Sequence, residues 1–437
     1  MSSPVAFIDR LAFGGNGVCR INGKVCFVPF SCPGDEVRLN ITTQKKSYCT
    51  AEIIELVSPS PSRTAPECQI FGSCGGCSWQ HISYPVQLEQ KRQIFADTLW
   101  RGARIGGDLI SEVVAAPASY GYRSRVQFKL SVQDGWLQIG FFRHASHTVE
   151  DAAQGCPVAL PQINELLNCF RTVLPDFSEL EAIWQISIDA GRHGVIAVVQ
   201  YIGPDISKIS SFLIDRSNDL LHCTGLFLQT GQKPVLKQLW GCGEISYEMP
   251  GRNPDNKPYL LNYGPGGFAQ VNQNQNIALL SIIRQLGNFA CTENLLDLYC
   301  GNGNFSIPIA ADVASVVGIE GSEDSIISAE LNRSVNDVPN AEFICDNVNS
   351  GLRRLIKDGR TFDVILLDPP RTGAGDAVPD IARLNPGRII YVSCDPSTLA
   401  RDCGHLAGYG YRVAKSVPLD MFPQTYHLES VTLLVKT

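Results

Sequence analysis

The sequence predicts an α/β protein in its C-terminal part, with a mostly parallel sheet covered by helices, a small β-barrel at its start and a strand-rich region between. Three observations carry this. From about Gly266 the runs LLDLY, VILLD and IIYVS alternate with helical stretches. Continuous apolar runs of that length are strands buried on both faces, which requires helices above and below the sheet. Residues 1–58 instead carry short strands broken by glycine turns, VAFIDRL, GGNGVCRINGKVCFVPF and PGDEVRLNITTQKKSYCTAEIIELV, the spacing of a small closed barrel. Between them, residues 59–265 show aromatic and β-branched runs such as YRSRVQFKLSV and AIWQISID.

At 437 residues the chain has room for two to four domains. A Ser/Pro segment, Ser58 to Pro66, marks the end of the barrel. In PVQLEQKRQIFADTLWRGA, Leu88, Phe95 and Leu99 mark one face of a helix over about 84–104, expected to pack on the C-terminal domain. The sequence shows no long apolar run and no leader-like start, so a cytoplasmic location is expected. In that setting most of the sixteen cysteines should be small core residues, metal ligands or catalytic groups. A net charge of −7 does not favour nucleic acid as a partner, but the balance turns basic between Lys91 and Arg143.

The chemistry concentrates in four stretches. LLDLYCGNGNFSIPIA reads as strand, glycine turn and helix, with Asp297 and Glu320 as acidic strand-end groups. A carboxylate about 20 residues beyond such a turn commonly binds ribose hydroxyls, which points to Glu320. The phosphate-binding GxGxxG pattern is incomplete, because Phe305 and Ser306 follow; an adenosine ligand without phosphate, such as S-adenosylmethionine, fits better. In LLDPPRTG, Asp368 ends a buried strand and two prolines stiffen the loop that follows. In YVSCDPSTLARD, Cys394 ends the next strand where a helix opens. The helix N-terminus and Arg401 are expected to favour its thiolate, and a thiolate beside a methyl donor suggests covalent catalysis. Thiolate addition at carbon-6 of a uracil makes carbon-5 enolate-like, and the carbon-5 proton must later be removed. Glu429 in TYHLESVTLL is the candidate base, with His427 as rival.

Together DLYCGNGNF, LLDPPRTG, VSCDPSTLARD and HLESV resemble the class I S-adenosylmethionine-dependent RNA (uracil-5-)-methyltransferase family, across residues 266–437. The resemblance implies a Rossmann-like methyltransferase domain, Cys394 as nucleophile and Glu429 as general base. It implies donor contacts from Gln270 in GFAQVN and from Tyr299, Asn304, Glu320, Asp346, Asn347 and Asp368. Cytosine-5 RNA methyltransferases carry a second cysteine just after the proline pair, where Arg371 stands here.

CQIFGSCGGC supplies Cys68, Cys74 and Cys77, and QGCPVAL supplies Cys156. Four thiolates can hold an iron-sulfur cluster or a zinc ion, and spacing alone leaves both open. The motif closely resembles that of the family's cluster-bearing members, which implies a [4Fe-4S] cluster on these four residues in a central iron-sulfur domain. The N-terminal segment resembles the TRAM domain, an OB-like RNA-binding barrel. YRSRVQFK resembles the family's basic strand near the RNA, which implies RNA contacts from Arg123, Arg125 and Lys129. Members with both barrel and cluster mostly resemble enzymes of 23S ribosomal RNA, with transfer RNA as the alternative substrate. No membrane or protein partner is implied, and a monomer is expected. The rival class, an RNA-binding or chaperone protein with a relic site, would bind RNA without turnover.

Overall fold

The computed structural model describes residues 3–231, 235–252 and 257–437. Strands β1 (Val5–Phe7), β2 (Arg10–Leu11), β3 (Gly17–Ile21), β4 (Lys24–Val28), β5 (Glu36–Gln44) and β6 (Tyr48–Ser58) form one sheet in the order β1-β5-β6-β4-β3-β2. Its two edge strands are consecutive in the chain and only two residues apart, so the sheet has to curl round to bring its edges together. The linking residues complete the wrap: Ile8 N donates to Asp35 O at 2.9 Å and Asp9 N to Val18 O at 2.9 Å. The barrel expected from the sequence is thus closed through its own chain. Its interior holds Ile8, Val28, Val37 and Leu39 with Cys19, Cys26 and Cys49, which serve as small core residues.

The middle sheet has the order β13-β12-β11-β10-β7-β8-β9. Its strands are β7 (Arg125–Gln133), β8 (Trp136–Phe142), β9 (Val149–Asp151), β10 (Ile183–Gly191), β11 (Gly194–Tyr201), β12 (Cys223–Thr230) and β13 (Val235–Gly241). A hairpin of β14 (Ile245–Met249) and β15 (Tyr259–Tyr263) follows.

The C-terminal sheet is built from β16 (Asn294–Leu298), β17 (Ser315–Glu320), β18 (Ala341–Cys345), β19 (Val364–Leu367), β20 (Arg388–Ser393), β21 (Tyr411–Leu419) and β22 (Glu429–Lys436). The order is β18-β17-β16-β19-β20-β22-β21, all parallel except β22. The chain starts in the middle at β16, builds outward through β17 and β18, then crosses to β19. That reversal opens a crevice at the carboxyl ends of β16 and β19, where open α/β sheets bind ligands. Among the described residues no helix is long and apolar enough to cross a membrane.

The C-terminal unit extends beyond residues 266–437 in two places. Helix α1 (Tyr84–Ala103) and the strand-like segment after it bring Phe95, Leu99, Ile105 and Ile110 into the same core as Leu296, Leu298 and Ile365. Ile110 and Val114 add parallel bridges to Ser416 and Leu419 of the edge strand β21. The hairpin is tied in as well, since Asn262 N donates to Asn332 Oδ1 at 2.7 Å.

The buried face of α1 carries polar groups, Gln87, Gln90 and Lys91, beside Ile94, Phe95 and Leu99. Two have partners in the loop before β22: Gln87 Nε2 donates to Gln424 Oε1 at 2.9 Å, and Lys91 Nζ to Asp420 Oδ1 at 2.5 Å and Phe422 O at 3.2 Å, while Gln90 Oε1 accepts from Leu11 N of the barrel at 2.9 Å. Both side chains of the Lys91–Asp420 pair are fully enclosed. Removing one partner leaves a buried charge unpaired, so Lys91→Met is expected to cost about 3–5 kcal/mol. Chemical denaturation measures this, and Lys91→Met with Asp420→Leu should recover much of the loss.

Candidate active site

Every C-terminal site residue singled out from the sequence, with one exception, lies at the carboxyl edge of this sheet. Tyr299, Asp346, Asp368 and Cys394 directly follow β16, β18, β19 and β20, and Glu320 ends β17. β22 runs the other way, so its first residue, Glu429, reaches the same edge. The last rung between β20 and β22 pairs Ser393 with Ser430, which sets Cys394 across from Glu429. The exception is Gln270, half-buried in the loop between β15 and helix α2 (Gln273–Gly287).

The turn after β16 is held in an unusual conformation. Tyr299 has φ +64°, a left-handed value costing about 1–3 kcal/mol for a bulky residue. Tyr299 N and Cys300 N both donate to Ile319 O, at 2.9 and 3.2 Å, and fix it. Gly303, at φ +83°, has Ile307 Cγ1 within 2.9 Å of where a Cβ would stand, so only glycine lets the turn close there. Glu320 accepts from Gly301 N at 3.2 Å and Ser322 N at 2.9 Å, leaving oxygen lone pairs free for a ligand.

Asp346 pairs with Arg354 at 3.6 Å, and Asn347 caps helix α3 (Val348–Lys357) by accepting from Asn349 N at 3.0 Å. The Asn304 amide is engaged within the protein: it donates to Asn276 Oδ1 at 2.9 Å and accepts from Tyr247 Oη at 2.9 Å. Cys300 is buried packing.

The edge is acidic and partly dehydrated. Burial pushes the Asp297 carboxyl up to about 7, with Asp368 and Glu320 adding to the rise and the Ser306 hydroxyl, 2.5 Å from Oδ2, opposing it. Burial likewise raises Asp368 to about 7. Glu429 lies well above the usual carboxylate range, through burial and then Asp368, with Arg371 opposing. Asp297 Oδ1 and Glu429 Oε1 are buried with no hydrogen-bond partner among the described residues. An edge with five carboxyl groups, Asp346 included, and orphaned acceptors suits a cationic ligand bearing hydrogen-bond donors, and S-adenosylmethionine has both features.

The Cys394 environment corrects one expectation. Its thiol is pushed up to about 12, first by burial and then by Glu429 and Asp368. Arg401 does not act on it, because that guanidinium donates to Asp402 Oδ1 and Thr372 O, both at 2.8 Å. Nor are the first amides of helix α4 (Pro396–Ala407) available: Asp395 Oδ1 accepts from Ser397 N and Thr398 N at 2.8 and 3.1 Å. The cation that favours the thiolate is Arg371. It was visible in the sequence as the only positive side chain directly after the proline pair, but its role was not. His427 sits two residues from Glu429, its imidazole lowered to about 4 by burial and by Arg371, Lys91 and Arg123, so it is neutral.

The middle domain gives a mixed result. Cys68, Cys74, Cys77 and Cys156 line one cavity of about 70 Å³ with Phe71, Phe141 and Arg123. Among the described residues no group of three His, Cys, Asp or Glu side chains forms a ready site for a metal ion. Arg123 faces these thiols, and its Nε is buried without a partner. Arg125 pairs with the buried Asp189 and lies 5.2 Å over the Tyr263 ring. Lys129 donates to Gln185 and lies 4.6 Å over Trp184. Of the three basic residues expected to face RNA, Arg125 and Lys129 are therefore held by partners inside the domain, where β7 pairs with β10, and Arg123 faces the thiol cavity.

Comparisons with known proteins agree with this geometry. Residues 253–437 match the family described as tRNA (Uracil-5-)-methyltransferase, and residues 6–62 match the TRAM domain of tRNA (uracil(54)-C(5))-methyltransferase. The chain is 31% identical over 442 residues to the 23S rRNA (uracil(1939)-C(5))-methyltransferase RlmD of Vibrio vulnificus, covering 98% of this chain and 95% of that protein. It is 33% identical over 454 residues to an uncharacterized RNA methyltransferase, tlr0942, of Thermosynechococcus vestitus, covering 98% and 96%. Among solved structures, the Pyrococcus abyssi tRNA (uracil-54, C5)-methyltransferase in complex with S-adenosyl-L-homocysteine superposes with a TM-score of 0.76 at 26% identity, covering 98% of this chain and 99% of that one. With its TRAM domain, Rossmann-like methyltransferase sheet and crevice, the chain belongs to the S-adenosylmethionine-dependent RNA (uracil-5-)-methyltransferase family.

Proposed function

We propose that this enzyme methylates carbon-5 of a uridine in 23S ribosomal RNA, through a covalent adduct between Cys394 and carbon-6. The observation that carries the chemistry is Cys394 standing across from Glu429 at the edge that also holds Asp368. The target base is turned out of its stack into the crevice, at a cost of a few kcal/mol. S-adenosylmethionine, when bound, supplies an electrophilic methyl group. In this reading Tyr299, Glu320, Asp346, Asn347 and Asp368 hold it from the carboxyl edge, with Gln270 assigned from the family resemblance alone. Asn304 acts behind them, fixing the turn through Asn276 and Tyr247.

Cys394 gives its proton to solvent, the Arg371 cation favouring the thiolate, and its sulfur bonds to carbon-6. The displaced π electrons move onto the carbon-4 carbonyl, and carbon-5 of the resulting enolate takes the methyl group as the sulfonium–methyl bond breaks, leaving S-adenosylhomocysteine. Glu429, in its carboxylate form, then removes the proton from carbon-5. The electrons of that C–H bond restore the carbon-5–carbon-6 double bond and expel the Cys394 thiolate. The whole cycle converts one C–H bond to C–CH₃ and releases one proton.

The same reading assigns a four-iron, four-sulfur cluster to Cys68, Cys74, Cys77 and Cys156. Its support is the shared, largely apolar cavity and the unpartnered Arg123 Nε facing it, a donor and cation suited to an anionic thiolate site. Its proposed part is structural, joining Cys156 to the Cys68–Cys77 segment.

The full-length likeness to RlmD favours ribosomal RNA, whereas the Pyrococcus enzyme and the matched TRAM domain favour transfer RNA. Mass-spectrometric mapping of 5-methyluridine in RNA from cells with and without the gene decides between them. Loss of a 23S rRNA methyl group is expected. Loss from transfer RNA would select the second substrate, and loss from neither would contradict both.

A further inference from the structure

The barrel meets the active site through aromatic rings. Phe13 lies in the tight turn Ala12–Gly15, closed by Gly15 N donating to Ala12 O at 3.0 Å. Gly14 has φ +96°, as position three of a type II turn requires, so the turn fixes where Phe13 stands. The turn is anchored from beneath, since Trp79 Nε1 donates to Gly15 O at 2.9 Å. Phe13 then meets Tyr426 edge-on, with ring centroids 6.0 Å apart. Tyr426 lies over His427 at 4.2 Å, and His427 meets Phe422 at 6.0 Å.

His427, within this row, lies two residues before Glu429 in the chain, and Arg371 acts on both His427 and Cys394, which ties the row to the site. Phe13 remains 45% exposed, while Trp79 behind it is fully buried. An interior packing role would cover that ring. Cations outnumber acids beside the row: Arg371, Lys91 and Arg123 act on His427 against Asp395, and of these cations Arg371 is exposed, whereas Lys91 is enclosed with Asp420. Exposed aromatic faces next to cations form the arrangement that holds unpaired bases, with the ring taking the base and the cation the phosphate.

We propose that Phe13, backed by Tyr426 and His427, is a stacking platform for an unpaired RNA base neighbouring the target uridine, so that the barrel takes part in substrate selection. This rests on the RNA uridine methyltransferase reading above. The turned-out uridine occupies the Cys394 crevice, and the platform holds the nucleotide beside it, stabilising the opened loop.

The test uses the full-length, cofactor-loaded enzyme on RNA from cells lacking the gene, comparing wild type with Phe13→Leu and Phe13→Trp. Leucine keeps apolar packing against Tyr426 but removes the aromatic face; tryptophan enlarges it. Phe13→Leu is expected to raise KM for RNA about tenfold, equivalent to about 1.4 kcal/mol. Its kcat, KM for S-adenosylmethionine and melting temperature should be unchanged, and Phe13→Trp should keep the wild-type KM. A single-stranded uridine oligonucleotide carrying 2-aminopurine beside the uridine should lose fluorescence on binding wild type and not on binding Phe13→Leu. An RNA KM within twofold of wild type for Phe13→Leu would overturn the proposal, as would a matching fall in melting temperature, which would make Phe13 a domain-packing residue. If wild type itself failed to methylate RNA, the functional reading would fail first, and Cys394→Ala would then match wild type.

Discussion

Cys394→Ala is expected to abolish methyl transfer, with turnover falling at least about 10⁴-fold, the scale of losing a covalent nucleophile. Carbon-5 of uracil is too weak a nucleophile to attack a sulfonium methyl without the electrons released by addition at carbon-6, so no neighbouring group can substitute for the thiol. The remaining groups at the sheet edge are untouched by the change, because Tyr299, Glu320, Asp346 and Asp368 follow other strands. S-adenosylmethionine affinity, measured by calorimetry, should therefore stay within a few-fold of wild type. Loss of donor binding together with activity would mean that the substitution disturbed the edge itself.

Glu429→Gln is expected to slow turnover about 10²–10⁴-fold, the usual range for a removed general base. Because this step follows methyl transfer, the variant should accumulate methylated RNA bound to Cys394, visible as a slowly migrating species on a denaturing gel. A second consequence concerns pH. The Glu429 carboxylate is one of the groups that push the Cys394 thiol up to about 12. Removing it lowers the thiol pKa, so the rate of Cys394 alkylation by iodoacetamide should rise at lower pH in Glu429→Gln than in wild type. A slow variant with no trapped RNA would remove Glu429 from the elimination step.

The strands of the catalytic sheet were legible because buried parallel strands are apolar on both faces, and LLDLY and VILLD can hardly be anything else. Glu429 was named as the partner of Cys394 from the chemistry and the family resemblance, but the strand arrangement that brings them together was not legible, because β22 inserts between β20 and β21, against chain order. No local pattern encodes that insertion. The α1 face was read from Leu88, Phe95 and Leu99, whereas Gln87, Gln90 and Lys91 share the buried side. Their partners lie more than 300 positions away for Gln87 and Lys91, so burial of a lysine could not be anticipated from its neighbours. The same limit explains Arg125: a basic strand looks like surface until Asp189, 64 residues on, is folded against it. Cys394 looked activated because a helix N-terminus was near. Asp395, one residue later, caps those amides, and a capping side chain takes up the field a thiolate would have used.

The measurement that bears most directly on the chemistry is covalent capture with 5-fluorouridine RNA. Fluorine at carbon-5 cannot leave as a cation, so the elimination that depends on Glu429 is blocked and the adduct persists. Wild-type enzyme with S-adenosylmethionine should yield, after nuclease and protease digestion, a peptide containing Cys394 that carries a methylated fluorouridine nucleotide, absent in Cys394→Ala. Methylation of ordinary RNA without any such adduct, or an adduct on a different cysteine, would contradict the assignment of Cys394 as nucleophile.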